Sequence, residues 1–165
     1  MKLIALDVDG VLAERGIIIG ADSEMKRFDI QDGQGIVVAQ KAQLVFAIIS
    51  GRDSAATTRR AKELGIAEVF QGVRAKTGVL KQIAARHNLH HEAVLYMGDD
   101  IQDLGPMAWA GVSAAPANAN GEVLGRVDIV TRAEGGRGAV REVVELVLKA
   151  QNLWSAVVEA YLRDA

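Results

Sequence analysis

An α/β fold with a doubly wound, mostly parallel sheet is predicted by three features of this sequence. Short apolar runs of strand length alternate with longer helix-length stretches along the whole chain, the order of elements that builds a parallel sheet with helices on both faces. Two runs, Leu3-Ile4-Ala5-Leu6 and Leu44-Val45-Phe46-Ala47-Ile48-Ile49, are apolar without interruption, as strands covered on both faces must be. The first of these, and a third run at residues 93–97, stop abruptly at Asp7-Val8-Asp9-Gly10 and Gly98-Asp99-Asp100-Ile101-Gln102-Asp103. Charge at the C-terminal ends of buried strands is what open α/β sheets present at their ligand crevice.

The opening strand explains why the acids matter. Alternation along an extended strand sends Asp7 and Asp9 to the same side, where two carboxylates repel and are costly to bury unless a cation or proton compensates. A plain turn uses Asp and Gly as well. An EF-hand loop is excluded, because its fifth and twelfth positions would be Val11 and Ile18, whose side chains carry no oxygen.

Residues 16–29 predict a β-hairpin, with Gly16-Ile17-Ile18-Ile19-Gly20 and Glu24-Met25-Lys26-Arg27-Phe28 flanking Ala21-Asp22-Ser23. Three consecutive isoleucines on a projecting hairpin leave apolar surface in water, so packing on another part of the chain or on another subunit is expected. Asp32-Gly33-Gln34-Gly35 reads as a loop leading into a helix over 36–43, and the strand at 44–49 follows. Ser50-Gly51-Arg52 comes directly after it, with Asp53 or Ser54 placed to cap a helix that glycine stops at Leu64-Gly65. A short strand at 68–70, a helix over 76–86, the strand at 93–97, a helix to Ala110 and a short strand at 112–115 continue the alternation. A loop, a last strand at 127–130, a helix over 140–149 opened by Gly135-Gly136-Arg137-Gly138, and a terminal helix within 152–163 complete it. With no internal repeat or linker, residues 1–165 read as one domain.

Composition narrows the function. A net charge of −2 opposes binding of nucleic acid through a general basic field, and no basic run is interleaved with aromatics. The absence of cysteine excludes disulfides, thiolate zinc sites and cysteine nucleophiles. No apolar run is long enough for a bilayer, and the first strand begins almost at Met1, leaving no room for a leader ahead of it. A cytoplasmic protein with a small-molecule ligand, and neither nucleic acid nor membrane as partner, is expected.

Four sets of polar residues then fall at the ends of successive strands or at the helix start just beyond: Asp7 with Asp9, Ser50, Lys76, and Asp99 with Asp100 and Asp103. In a parallel sheet these ends face the same way and converge on one crevice. Singly, each has an ordinary alternative, since serine after a strand caps helices and lysine at a helix start is usually solvated.

In this combination the chain resembles the haloacid dehalogenase superfamily of phosphatases, whose four motifs are matched in order by Asp7-Val8-Asp9-Gly10-Val11, Ser50, Lys76 and Gly98 to Asp103. Within it the chain is similar to the capless subgroup containing the 3-deoxy-D-manno-octulosonate 8-phosphate phosphatases. The similarity runs through Asp7 to Leu12, Phe28, Asp32-Gly33-Gln34-Gly35-Ile36, Ile49-Ser50-Gly51-Arg52, Gln71-Gly72, Gly98 to Leu104, and Gly135 to Glu142. It implies the Rossmann-like fold of that superfamily with a projecting hairpin and no cap domain. It also implies Asp7 as a nucleophile that forms an aspartyl-phosphate, and Asp9 as the acid, then the base. Mg²⁺ would be held by Asp7, the backbone carbonyl of Asp9, and Asp99, an oxygen-only set suited to a hard cation.

By the same resemblance Ser50 binds the phosphoryl oxygens and Lys76 offsets charge there. Asp100 and Asp103 orient Lys76 or a metal-bound water. Substrate contacts are expected from Asp9, Ser50, Gly51, Arg52, Arg60 and Lys76. The planar fork of Arg52 suits the carboxylate of a sugar acid, its alternative being a helix-start arginine paired with a surface acid. The implied reaction is Mg²⁺-dependent hydrolysis of 3-deoxy-D-manno-octulosonate 8-phosphate in lipopolysaccharide precursor synthesis. The implied assembly is a homotetramer in which one hairpin borders the neighbour's site, where Lys26 and Arg60 read equally as substrate contacts or as solvated surface. A nine-carbon neuraminate-type 9-phosphate is the rival substrate. A phospho-acceptor signalling module and a plain oligomerisation domain are the rivals of another class.

Two stretches depart from the subgroup's pattern: Ala13-Glu14-Arg15-Gly16 stands where relatives carry Thr-Asp-Gly, and Asn118-Ala119-Asn120 where they carry Asp-Ala-His. Neither removes a catalytic residue. His87, His90 and His91 lack acidic ligands at metal-site spacing, Trp109 and Trp154 read as packing residues, and Gly135 to Gly138 either approach a phosphate or form a tight turn.

Overall fold

The computed structural model describes residues 1–21 and 23–163. In chain order the elements are β1 (Leu3–Leu6), β2 (Ile18–Ile19), β3 (Glu24–Met25), α1 (Ile30–Lys41), β4 (Val45–Ile49), α2 (Ala55–Glu63), β5 (Glu68–Phe70), α3 (Lys76–Arg86), β6 (Val94–Met97), α4 (Leu104–Trp109), β7 (Val112–Ala115), α5 (Gly121–Leu124), β8 (Ile129–Val130), α6 (Ala139–Ala150) and α7 (Trp154–Arg163), with single 3-10 turns at His91–Ala93 and Ile101–Asp103. Six strands form one sheet in the order β5-β4-β1-β6-β7-β8, each pair parallel. The chain runs outward from β1 through β4 to β5, then crosses back to β6 on the other side of β1, so the strand order reverses at β1. A crevice forms outside the C-terminal ends of strands at such a point.

The period of two along each strand divides the interior into two cores. Ile4 and Leu6 pack with Phe46, Ile48, Leu95 and Met97 beneath α1 and α6. Leu3 and Ala5 face the other way, with Ala47, Ile49, Val94 and Tyr96 against α3. Every residue of β1 is fully buried, which fixes its register between β4 and β6 and therefore the depth at which Asp7 leaves the sheet.

Helix α1 corrects the sequence reading. It begins at Ile30 rather than 36, capped by the Asp29 carboxylate, which accepts from the amides of Gln31 at 2.6 Å and Asp32 at 3.3 Å. The glycines that suggested a loop lie inside the helix because its face is crowded. A Cβ at Gly33 would collide with the guanidinium of Arg60, and one at Gly35 would press on Arg141 of α6 at 3.0 Å. Two helical glycines cost about 1 kcal/mol each against alanine, and close contact with α2 and α6 offsets that. Just before them in sequence, the fully buried carboxylate of Asp32 accepts from the amides of Gly138 at 3.1 Å and Arg141 at 2.8 Å. It thereby caps α6 and joins the two helices.

Smaller differences have local causes. The last strand is only Ile129–Val130, because the Asp128 carboxylate instead accepts from the amide of Ser113 at 2.8 Å. The loop before it contains α5, started by Asn120, whose side chain accepts from the amide of Glu122 at 2.9 Å. The hairpin forms, but its ladder is limited to Ile18–Ile19 against Glu24–Met25, and Asp22 of its expected turn lies outside the described residues. Gly135 and Gly136 are a tight turn pressed on the backbone of residues 10–14, and Gly136 donates to the Val11 carbonyl at 2.8 Å. Helix α7 packs on α6, with Trp154 seated against the core and the Tyr161 hydroxyl accepting from Gln34 Nε2 at 3.0 Å.

Candidate active site

The buried end of β1 delivers Asp7 at 2 % exposure, its amide held by the Met97 carbonyl at 2.9 Å. The chain then turns through Gly10, whose φ of +91° few other residues tolerate. A Cβ there would fall on the Asp99 carboxylate, so this glycine permits the two acidic motifs to meet. Oxygens of Asp7, Asp99 and Asp103 all lie within 4.8 Å of one another.

Lys76, at the first position of α3 and only 3 % exposed, reaches into this group. Its Nζ is 2.9 Å from Asp7 Oδ1 and 2.7 Å from Asp103 Oδ1. Asp103 is fully committed. Its Oδ1 also accepts from the Tyr96 hydroxyl at 2.8 Å, and its Oδ2 accepts from the amides of Asp99 at 3.1 Å and Asp100 at 3.3 Å. Asp103 therefore holds Lys76 and has no lone pair directed at a further ligand. Asp100 holds the 3-10 turn instead, accepting from the amide of Ile101 at 2.8 Å and from Asn120 Nδ2 at 3.2 Å.

Three buried carboxylates face one buried ammonium, leaving an excess of negative charge in a place water scarcely reaches. The ionisation equilibria record that imbalance. Burial, and next the Asp103 carboxylate, push Asp7 up to about 7 against the opposing pull of Lys76. Asp99 rises to about 6 through burial and Asp103, with Arg15 opposing. Burial alone would lower Lys76, but Asp7 and Asp103 outweigh it and raise it. Arg15, half exposed on the loop after the first motif, contacts Asp99 Oδ2 through Nε at 3.2 Å. A set of oxygen donors, deeply buried and short of positive charge, fits a hard divalent cation. Asp7 and Asp99 are the side chains able to hold one.

Beside this pocket, Asp9 faces the loop that follows β4. Its Oδ1 is buried and lies 2.8 Å from Lys26 Nζ without a well-aligned hydrogen bond, and its Oδ2 is 3.8 Å from Arg52 Nε. Ser50 is 1 % exposed, and its Oγ accepts from the Arg52 amide at 3.2 Å. Gly51 and Arg52 are exposed, and Arg52 Nη2 donates to Glu24 Oε2 at 2.7 Å. A cavity of about 410 Å³ opens over the acids, lined by Asp9, Arg15, Asp99, Asp100, Gln102 and Asn120.

The expected residues thus converge, with one exception. Arg60 stays outside the acidic crevice: it donates to the Asp29 carbonyl at 3.1 Å, pairs with Glu63 at 3.0 Å, and lines a separate cavity of about 570 Å³ beside the hairpin. Lys26, by contrast, is not solvated surface, since its side chain is 0 % exposed. Sequence reasoning undervalued it and missed Glu24, Thr57 and Tyr96. The signal for Lys26 and Glu24 was alternation, because Glu24, Lys26 and Phe28 turn inward while Met25 and Arg27 turn outward. His90, His91 and Glu92 also come within 4.8 Å of one another, but on an exposed turn before β6, at the opposite edge of the sheet from the crevice.

The model of the haloacid dehalogenase-like hydrolases matches residues 65–143. The 3-deoxy-D-manno-octulosonate 8-phosphate phosphatase KdsC of Escherichia coli (strain K12) is 40% identical over 152 residues, covering 92% of this chain and 81% of that one. The chain belongs to this phosphatase family of haloacid dehalogenase-like hydrolases. Family members of known structure superpose closely. The Moraxella catarrhalis phosphatase, solved with magnesium, phosphate and KDO, gives a TM-score of 0.94 at 39% identity, covering 98% of this chain and 93% of that one. The cobalt-bound Haemophilus influenzae phosphatase gives 0.89 at 37% identity, covering 92% and 90%. Divalent metal in those two structures agrees with the cation-deficient crevice of Asp7 and Asp99.

Proposed function

We propose that this protein is a Mg²⁺-dependent phosphomonoesterase that hydrolyses 3-deoxy-D-manno-octulosonate 8-phosphate to the free sugar acid and phosphate, a step in lipopolysaccharide precursor synthesis. The observation that carries the reading is the crevice itself: Asp7 held by Lys76, with Asp99 alongside and Asp9 at its mouth. The relatives that share the fold supply the substrate class.

Asp7, Asp99 and the Asp9 backbone carbonyl would hold Mg²⁺, which would supply the missing positive charge beside Asp7 and the phosphoryl group. The Asp7 carboxylate attacks phosphorus, the bond from phosphorus to the sugar oxygen breaks, and Asp9 gives that oxygen its proton. Asp9, now ionised, takes a proton from water, and the water oxygen attacks the phosphorus of the aspartyl-phosphate. Phosphate leaves, and Asp7 is restored. Lys76, fixed by Asp103 at 2.7 Å, holds positive charge beside the reacting group throughout. Ser50 binds the phosphoryl oxygens. Gly51 and Arg52 border the leaving sugar, and Arg52, paired with Glu24 in the free protein, would turn its fork to the sugar's carboxylate.

Assembly and location belong to the same reading. Ile18, Ile19, Met25 and Ile30 are 63, 77, 57 and 83% exposed, an apolar surface suited to contact between copies in a homotetramer. That contact would bring Arg60, beside the hairpin, within reach of a neighbouring site. Among the described residues no helix is long and apolar enough to cross a membrane, and a cytoplasmic site of action is proposed. Turnover of the eight-carbon 8-phosphate compared with a nine-carbon neuraminate-type 9-phosphate tests the substrate. The expected result is a clear preference in kcat/KM for the eight-carbon ester, and the reverse preference would overturn the assignment.

A further inference from the structure

Lys26 is the least exposed cation of the chain's hairpin region and has no place in the mechanism above. Its side chain is 0 % exposed, and its Nζ sits in a polar box: 2.8 Å from Asp9 Oδ1, 3.4 Å from Thr57 Oγ1 and 3.9 Å from Glu24 Oε1. The box is itself braced. Glu24 accepts from Ser54 Oγ and from Arg52 Nη2, both at 2.7 Å, and Thr57 is fully buried in the first turn of α2. Burying an ammonium is costly unless its partners are fixed, and here the loop after β1, the strand β3 and the helix α2 are brought together at one atom.

We propose that Lys26 is the positioning residue for Asp9, acting on the proton-transfer steps through that carboxylate and not through the phosphoryl group. Resting on the phosphatase reading, the argument is geometric. Lys26 occupies the inner oxygen, Oδ1, which is buried and makes no well-aligned hydrogen bond. That leaves Oδ2, the oxygen nearer Arg52, to meet the leaving sugar oxygen. A carboxylate gripped at one oxygen by a cation that cannot move loses its freedom to rotate. The same ammonium lies beside the negative charge that Asp9 acquires when it gives up its proton. The hairpin thereby contributes to its own chain's chemistry, whatever its apolar tip contacts.

The leaving group distinguishes this role from a structural one. A sugar alkoxide departs only if protonated, whereas p-nitrophenolate departs without help, and kcat/KM reports the steps up to formation of the aspartyl-phosphate. For Lys26→Met we expect kcat/KM on the sugar 8-phosphate to fall about tenfold to a hundredfold, with p-nitrophenyl phosphate falling less than about threefold. In an Asp9→Asn background the same substitution should add almost nothing on the sugar ester, because Lys26 acts through the group already removed. Equal losses on both esters, no loss on either, or a full additional loss in the Asp9→Asn background would overturn the proposal. If Lys26→Met does not fold, as judged by circular dichroism, Thr57→Val removes one wall of the box and must show the same split at smaller size. A wild-type protein that hydrolyses neither ester would refute the phosphatase reading itself, a distinct outcome.

Discussion

At the end of β1 the protein buries Asp7, Asp99, Asp103 and Lys76, each at 6 % exposure or less, while a short way along the chain the hairpin leaves Ile18 and Ile19 63 and 77% exposed. One region hides charge and the other displays oil, each against the ordinary distribution of residues. The hidden charge is a set of oxygen donors with an excess of negative charge that fits a divalent cation, which would also offset the charge of an incoming phosphoryl group. The exposed isoleucines leave an apolar surface, the reason contact between copies is proposed. In both places the departure from the usual distribution is what the proposed function builds on. Between them stands Lys26, buried on the hairpin side but paired with an acid of the crevice.

The contrast can be broken at several points. The largest effect is expected from Asp7→Asn, which removes the nucleophile and should lower kcat by at least about a thousandfold, read as phosphate release by purified protein. Next comes Asp103→Asn, which removes the charge beside Lys76 and replaces by a donor one of the two oxygens that serve Lys76 and the Asp99 and Asp100 amides. Losses of about tenfold to a hundredfold in kcat are expected for such an outer partner, and an unchanged rate would contradict the positioning role given to Asp103.

The crevice also predicts how stability responds to pH. Asp7 and Asp99 are raised from an ordinary 3.8 to about 7 and about 6, and Asp32 is raised to about 6, in each case chiefly by burial. A carboxyl with a raised folded-state pKa binds its proton more tightly when folded, so it favours folding at low pH. That contribution is lost as pH climbs from about 4 to about 7. Mg²⁺ requires Asp7 and Asp99 ionised and should restore what the metal-free protein loses. The rise in melting temperature on adding Mg²⁺ should therefore be larger near about pH 8 than near about pH 5, and a rise independent of pH would contradict it.

On the hairpin side, Ile18→Ser with Ile19→Ser should yield a smaller particle than wild type in equilibrium sedimentation, and unchanged mass would remove the reason for the exposed isoleucines. The smallest effect is expected from Arg52→Lys, which keeps the charge but loses the fork. KM for the sugar acid ester should rise about threefold to tenfold, while KM for p-nitrophenyl phosphate stays nearly constant.

Much of this was legible in sequence because it followed from strong local patterns. The uninterrupted runs at Leu3 and Leu44 became central parallel strands, and the acids that ended them met in one place. Less was legible where tertiary contact overrode local preference. Gly33 and Gly35 suggested a loop, yet sit in α1 because α2 and α6 come too close for a side chain. Lys26 stayed open between substrate contact and solvated surface because a buried lysine depends on partners far away in sequence, Asp9 on one side and Thr57 on the other. Arg60 was grouped with the substrate contacts, and its bonds to Asp29 and Glu63 hold it beside a different cavity. Spacing carries no record of such pairings, which arise only when the loop after β1, the hairpin and α2 are brought together.

The most direct measurement of the central claim is to catch the intermediate on Asp7. In Asp9→Asn, with p-nitrophenyl phosphate and Mg²⁺, phosphorylation needs no acid but hydrolysis lacks its base, so the phosphoenzyme should accumulate. Acid quenching, digestion and mass spectrometry should then find a phosphoryl group on the peptide of residues 3–15, with borohydride reduction placing it on Asp7. A burst of p-nitrophenol with no phosphoryl group on Asp7, or with one on another residue, would contradict the account.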